Sequence, residues 1–177
     1  VQGLLEEAGL TLSDLDGLAF GRGPGAFTGL RIACGVVQGL ALGAVLPVVP
    51  VSSLAAVAEQ VPATAGEAVL VCNDARMGEV YWGVFRRGTD GAIAALCDEA
   101  VSRPEAVGEG APGAVHVAGN ALPRYPVLRE RLRAAGLQFH EGVYPRADAI
   151  ARLGAIELAA GRGVAAEQAL PVYVRDD

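Results

Sequence analysis

The chain has 177 residues, 52% of them apolar, and its 14 basic residues are all arginine against 20 acidic ones, for a net charge of −6. That balance excludes a protein that grips nucleic acid through a basic surface of its own, while the apolar share suffices for one domain or two small lobes. Cys34, Cys72 and Cys97 are odd in number, sit in apolar runs and form no C-x-x-C pair; this excludes a disulfide scaffold and fits reduced, buried thiols in the cytosol.

In chain order, residues 1–8 read as the last turns of a helix, with Leu4, Leu5 and Ala8 as its apolar side and Gly9 as its C-cap. Residues 12–15 form a short helical turn that Ser13 or Asp14 can cap. The stretch 21–43, GRGPGAFTGLRIACGVVQGLALG, follows an apolar run at 17–20 and places Gly21, Gly23, Gly25 and Gly29 within nine residues. It continues as an apolar segment with helical spacing, so the whole reads as strand, glycine-rich loop and helix. Leu30, Cys34, Val37 and Ala41 fall on one stripe of that helix, and Gly35 and Gly39 stand four apart. Arg31 and Gln38 interrupt the run and Pro47 and Pro50 end it, which favours a helix buried in a lobe or against a partner over a bilayer span of about 20 residues. No signal peptide is apparent.

Residues 47–51 predict a brief buried strand, and Ser52 or Ser53 can cap a helix reaching Val61. The segment 62–67, PATAGE, reads as an exposed connection and divides a first lobe, 1–62, from a second, 63–177. The second lobe opens with strands at 68–73 and 79–86 joined by a turn ending at Gly78; both faces of the latter are apolar, so both should be covered. A third strand at 92–97, a short helix at 104–107, a strand at 114–118 and helices at 123–135 and 148–160 complete a mixed α/β architecture.

The glycine-rich loop offers exposed N–H groups at a helix N-terminus, where an anion can bind. Gly21, Gly23 and Ala26 satisfy a permissive dinucleotide pattern, yet no acidic residue lies between Asp16 and Glu59 and the chain has no lysine for a Walker loop. A tight turn packed closely is therefore favoured over a nucleotide site. His116 and His140 stand apart in sequence and encode no metal pair. They could approach Ser52 or Ser53 in space as a hydrolase would require, but no G-x-S-x-G accompanies those serines, and a helix cap is the preferred reading. Arg124, Arg129, Arg131 and Arg133 gather with Tyr125 on and before one helix, either as a local basic face or as a solvated one balanced by Glu130. Asp74, Arg76 and Glu79 form a charged hairpin tip.

Three segments carry a family resemblance. GPGAFTGLRIACGVVQGLA, from Gly23, resembles the signature of the TsaB (YeaZ-like) family; DARMGEVYWG, from Asp74, resembles its second marker, and PVYVR, from Pro171, its C-terminal tail. Ala26 departs from it, standing where the family usually has serine. The resemblance implies a two-lobed actin-like, sugar-kinase and Hsp70 ATPase (ASKHA) fold, with a first lobe incomplete at its N-terminus because the chain opens inside a helix. It implies a non-catalytic scaffold subunit that supports the catalytic paralogue TsaD in forming threonylcarbamoyladenosine at adenosine 37 of tRNA, together with the ATPase TsaE. TsaD carries a histidine pair for its metal just after the strand that follows the glycine-rich helix; the corresponding stretch 51–58, VSSLAAVA, has none. The further expectations are a cytoplasmic protein without cofactor or membrane, meeting tRNA indirectly and forming a homodimer when TsaD is absent. The contact is expected at Leu30, Ala33, Cys34, Val37, Leu40 and Ala41 with Leu4 and Leu5, and Arg124, Arg129 and Arg133 are candidates for tRNA or partner contact. The alternative is a nucleotide-binding or metal-dependent enzyme, an ATPase or a glycoprotease-like peptidase.

Overall fold

The computed structural model describes residues 1–109 and 113–175; the last two positions of the expected second lobe, 176 and 177, lie outside it. Helix α1 (Gln2–Ala8) ends at Gly9 in the left-handed conformation and buries none of its residues. In the turn Leu12–Asp14, Asp14 is the partner rather than the cap: its carboxylate accepts the Thr11 backbone N–H at 2.8 Å and the Thr11 hydroxyl at 2.6 Å.

Strand β1 (Leu18–Gly23) pairs in parallel with β2 (Val48–Ser52), and helix α2 (Phe27–Ala44) connects them, as a parallel pair requires a crossover. Ser52 closes β2 and opens α3 (Ser53–Glu59): its Oγ accepts the backbone N–H groups of Leu54 and Ala55 at 3.1 and 3.0 Å. The second sheet is built on the antiparallel pair β3 (Ala68–Arg76) and β4 (Glu79–Arg87). Two short strands, β5 (Ile93–Ala95) and β6 (Ala100–Ser102), pair with β4; β7 (His116–Gly119) runs parallel to β3 and β8 (Gln138–Glu141) parallel to β7. Helices α4 (Pro126–Ala134) and α5 (Ala147–Ala159) complete the chain's regular elements among the described residues.

Several boundaries differ from the sequence expectation for physical reasons. The helix expected from 123 begins at Pro126, which fits the first helical position because it has no N–H to satisfy there. The strand expected at 92–97 stops at Ala95. Strands β6 and β8 are additional: each is a three- or four-residue edge strand without a full apolar period, so neighbours rather than sequence pattern define it.

The second sheet has a core on each face. Leu70, Cys72, Val80, Trp82 and Val84 pack with Leu128 and Leu132 of α4 on one side, and Val69, Val71 and Phe85 pack with Leu54, Val57 and Ala58 of α3 on the other. Fully burying a leucine such as Leu54 or Leu128 contributes roughly 1.5–3 kcal/mol. The first sheet is covered by α2, whose Cys34, Val37 and Ala41 meet Phe20 and Val48, and on its other face by Ala149, Ile150 and Leu153 of α5. Ala166 and Ala169 join the α2 core. The chain's C-terminal quarter thus returns to the first sheet, so the layer around β1 and β2 takes in segments from both sides of residues 62 and 63.

Candidate functional site

A cleft of about 820 Å³ opens between the two sheets. Its walls come from the three marker segments, which are remote in sequence: the loop from Pro24 to Phe27, the tip of the β3–β4 hairpin, and the strap Val172–Arg175. Gly23 has φ 109°, and a Cβ there would sit 2.7 Å from the Val172 carbonyl oxygen. Only glycine lets the strap lie this close, and the Val172 N–H donates to the Arg22 carbonyl at 2.8 Å. The loop's glycines therefore serve a backbone-to-backbone contact, in line with the tight-turn reading. The other loop glycines are less constrained: Gly21 faces Ser53, Gly25 faces Leu30, and Gly29 has open space.

Arg31 of α2 reaches along the cleft wall. Its guanidinium lies 3.8 Å from the Phe27 ring centroid and its Nε donates to the Tyr173 hydroxyl at 3.0 Å, while the rings of Phe27 and Tyr173 stand 5.4 Å apart. Across the cleft, Asp74 organises the hairpin tip. Its carboxylate accepts the Tyr125 hydroxyl at 2.8 Å and the Arg76 backbone N–H at 3.0 Å, and pairs with the guanidinium groups of Arg76 and Arg124, each at 3.3 Å. Burial and the neighbouring Asp74 carboxylate raise the Tyr125 pKa, keeping the phenol a donor. Arg175 on the strap donates to the Ala75 carbonyl at 3.2 Å and pairs with Glu79. The charged residues at the tip thus pair among themselves and with the strap.

Of the two serines, Ser53 lines the cleft and Ser52 is fully engaged beside it. Besides capping α3, the Ser52 hydroxyl donates to Glu99, whose carboxylate also pairs with Arg22 at 3.1 Å. The histidines meet each other elsewhere. His116 Nδ1 and His140 Nε2 are 3.2 Å apart, and His116 Nε2 is 3.0 Å from Glu67. That cluster sits at the Val69 end of β3, whereas the cleft sits at its Asp74 end, about 17 Å away at the rise of a strand. The arrangement brings the two histidines together, but brings neither to a serine as the hydrolase reading required. The His116 hydrogen bond holds Glu67 at a pKa of about 2, and burial followed by the nearby His116 lowers His140. Among the described residues no group of three or more His, Cys, Asp or Glu side chains is arranged to hold a metal. The stretch Val51 to Ala58 is mostly core, with Leu54, Ala56, Val57 and Ala58 wholly buried.

Helix α2 presents a second surface. Leu30, Cys34, Val37 and Ala41 are 8% exposed or less and point into the chain's own core. These four residues, expected at the contact, lie on the side of the helix packed against β1 and β2. Ala33 and Leu40 are half-buried flanks, Leu4 is exposed and Leu5 half-buried. The outward face carries Ile32, Val36 and Leu42, between 52% and 73% exposed, and Gly35, Gly39 and Gly43, at each of which an added Cβ would meet nothing within 4 Å. The glycine spacing marks this face in the sequence, but because both sides of the helix are apolar, the sequence does not show which large side chains share it. By length and composition α2 could cross a membrane, yet its inner stripe is packed on the first sheet.

The arginine cluster separates. Arg129 pairs with Glu141 at 2.6 Å, Arg133 lies 5.5 Å from the Phe139 ring, Arg131 donates to the carbonyls of Pro104 and Val107, and Arg124 alone of the four pairs with Asp74 at the cleft.

The family model for TsaD, tRNA N6-adenosine threonylcarbamoyltransferase, matches residues 1–172. The tRNA threonylcarbamoyladenosine biosynthesis protein TsaB of Escherichia coli (strain K12) is 39% identical over 183 aligned positions, covering 100% of this chain and 78% of that protein. The chain belongs to the TsaB (YeaZ) family. The solved structure of YeaZ from Pseudomonas aeruginosa superposes with a TM-score of 0.82 at 40% identity, over 97% of this chain and 80% of that one. A second Pseudomonas aeruginosa structure, described as an uncharacterized protein with similarity to peptidase YeaZ, gives 0.82 at 39% identity over 98% and 80%. The mixed α/β arrangement is that of these TsaB-family structures and fits the ASKHA fold implied by the sequence resemblance.

Proposed function

We propose that this chain is a non-catalytic, cytoplasmic scaffold subunit of the tRNA threonylcarbamoyladenosine machinery, binding a TsaD-type transferase and joined by a TsaE-type ATPase. Family membership supports the pathway. The observation that carries the scaffold role is the uncovered outward face of α2. Three large apolar side chains, Ile32, Val36 and Leu42, stand exposed there beside the glycine row Gly35, Gly39 and Gly43. An apolar face of this kind marks a protein contact, and small residues let a second helix approach closely. Ala33 and Leu40 flank the contact, and Leu4 and Leu5 of α1 extend it.

The same face serves a homodimer when TsaD is absent, so the two assemblies compete. Catalysis resides in the partner: Ser52 is spent on a helix cap and on Glu99, and Ser53 is buried. The net charge of −6 supports leaving most of the grip on tRNA to the complex, with Arg124, Arg129 and Arg133 as the chain's own contributors.

The test is light-scattering mass after size exclusion, for the protein alone and mixed with TsaD. A dimer that exchanges into a one-to-one complex, and a Val36→Glu variant that forms neither, are expected. A wild-type protein that stays unchanged in the presence of TsaD would overturn the reading.

A further inference from the structure

Although the chain as a whole repels phosphate, the mouth of its cleft is built differently. Asp74 is 6% exposed at its side chain, yet the two guanidinium groups it holds reach solvent: Arg76 is 75% exposed and Arg124 58%. Both cations sit 3.3 Å from the same carboxylate oxygen. The other oxygen is taken by the Tyr125 hydroxyl and the Arg76 backbone N–H. One negative charge thus fixes two positive ones side by side, leaving the pair cationic with most of its N–H donors facing outward.

The platform beneath them is rigid by design of the backbone. Arg76 and Met77 both adopt positive φ, 64° and 53°, conformations that non-glycine residues hold only where the surroundings impose them. Asp74 imposes it from within the hairpin, and Arg175, bonded to Ala75 and paired with Glu79, from the strap. Paired guanidinium groups held at a set spacing match the oxygens of a phosphate, which they bind through two-pronged hydrogen bonds.

What lies opposite narrows the ligand. Phe27 and Tyr173 line the same cleft, 53% and 45% exposed, with Arg31 stacked on the Phe27 ring. Aromatic faces next to a phosphate clamp suit an unpaired nucleotide, whose base stacks while its phosphate is held. An acidic peptide would use the arginines but not the rings. The strap, bonded to the Arg22 carbonyl, covers the loop backbone behind, so the clamp is reached from the mouth, by a strand presented from outside.

We propose that Arg76 and Arg124, held on Asp74 at the cleft mouth, bind a phosphodiester in an unpaired segment of the tRNA, with Phe27 and Tyr173 receiving an adjacent base. The inference rests on the proposed place of this chain in tRNA modification and gives it a direct, minor RNA contact. Arg129 and Arg133, engaged with Glu141 and Phe139, take no part in it.

The test is fluorescence anisotropy of a labelled, unmodified tRNA transcript titrated with the protein and with its TsaD complex at several salt concentrations. The double variant R76Q/R124Q should bind at least about fivefold more weakly, with a salt slope shallower by about one per arginine removed. Arg162→Gln, an exposed arginine paired with Glu157 on the far end of α5, should bind as wild type. Inorganic phosphate and ATP at millimolar concentration should compete poorly. Equal tRNA binding by the double variant overturns the proposal, as does full displacement by inorganic phosphate or ATP, which would make this a free-anion site. In reconstituted modification the double variant should raise KM for tRNA at unchanged kcat. A wild-type protein that forms no TsaD complex would defeat the scaffold reading, whereas an intact complex with unchanged KM in the variant defeats only this one.

Discussion

The second sheet is covered on both faces, by α4 on one and α3 on the other, and its central strands β3, β4 and β7 bury nearly every apolar residue they carry. The first sheet is also covered on both faces, but its covering helix α2 is apolar on the side turned away as well, where Ile32 is 62% and Leu42 73% exposed. Two neighbouring positions of one helix, Val36 and Val37, therefore belong to different problems: Val37 is 7% exposed and holds the lobe together, and Val36 is 52% exposed and contributes nothing to it. The contrast separates residues that stabilise the chain from residues that it presents.

The sharpest way to break that distinction is to place the same charge at both positions. Val37→Glu buries an unpaired carboxylate and should cost roughly 3–5 kcal/mol, read as a lowered urea midpoint. Val36→Glu should leave the midpoint within about 0.5 kcal/mol while abolishing self-association. Equal destabilisation by the two would mean that the outward face is packed, and the contact proposed there would fall.

Glycines provide a second pair, one from each region. Gly119 in β7 has φ 123°, and a Cβ would lie 2.1 Å from the Cys72 carbonyl oxygen in the neighbouring strand. Gly119→Ala should cost about 3 kcal/mol, since strand backbones must part to admit it. Gly35 on the outer face of α2 has nothing within 4 Å, and Gly35→Ala should stabilise the isolated protein by about 0.5–1 kcal/mol through helix propensity. The same change should weaken partner binding, and thermal melting alongside calorimetry with TsaD would show the two effects with opposite sign.

Much of the second sheet was legible in the sequence because short, near-continuous apolar runs bounded by turn residues mark β3 and β4. The α2 helix was legible as a helix, but its faces were not: Leu30, Cys34, Val37 and Ala41 look no more buried in sequence than Ile32, Val36 and Leu42. Only the position of β1 and β2 decides which stripe is inside. The return of α5 to the first sheet and the meeting of three distant segments at the cleft depend on contacts across more than 90 residues, such as Arg175 with Glu79, and local pattern carries no trace of them. The Ser52 cap was legible because capping is local chemistry.

That cap sits at the junction between the regions and is expected to matter less. Ser52→Ala removes the acceptor for two α3 N–H groups and the donor to Glu99, at a cost of about 1 kcal/mol. Urea denaturation reads it, and Ser52→Asp should restore the cap while repelling Glu99. A loss well above 2 kcal/mol would show that the Ser52, Glu99 and Arg22 chain holds the two sheets together rather than merely starting a helix.

The smallest effect is the dependence on pH that Glu67 and His140 bring beside the second sheet. Glu67 is held at about 2 by its hydrogen bond to His116, below its ordinary 4.5, and His140 is lowered from 6.5 by burial and by His116. In both cases the unfolded chain binds the proton more readily, so stability falls as acid is added. The His140 contribution is complete above pH 6.5 and declines as pH falls below it; the Glu67 contribution is complete above pH 4.5 and is lost as pH falls through about 2. Urea midpoints at pH 7.5, 5.5 and 3.5 should therefore decrease in two stages, the His140→Gln variant lacking the first and Glu67→Gln showing a reduced second, to which the lowered carboxyls of Asp148 and Glu157 also contribute. Because Glu67 is one-third exposed, solvent weakens its share, and the first stage should be the clearer. A wild-type midpoint that stays flat from 7.5 to 5.5 would show that His140 is solvated in the folded chain and that the histidine pair adds nothing to the edge formed by β7 and β8.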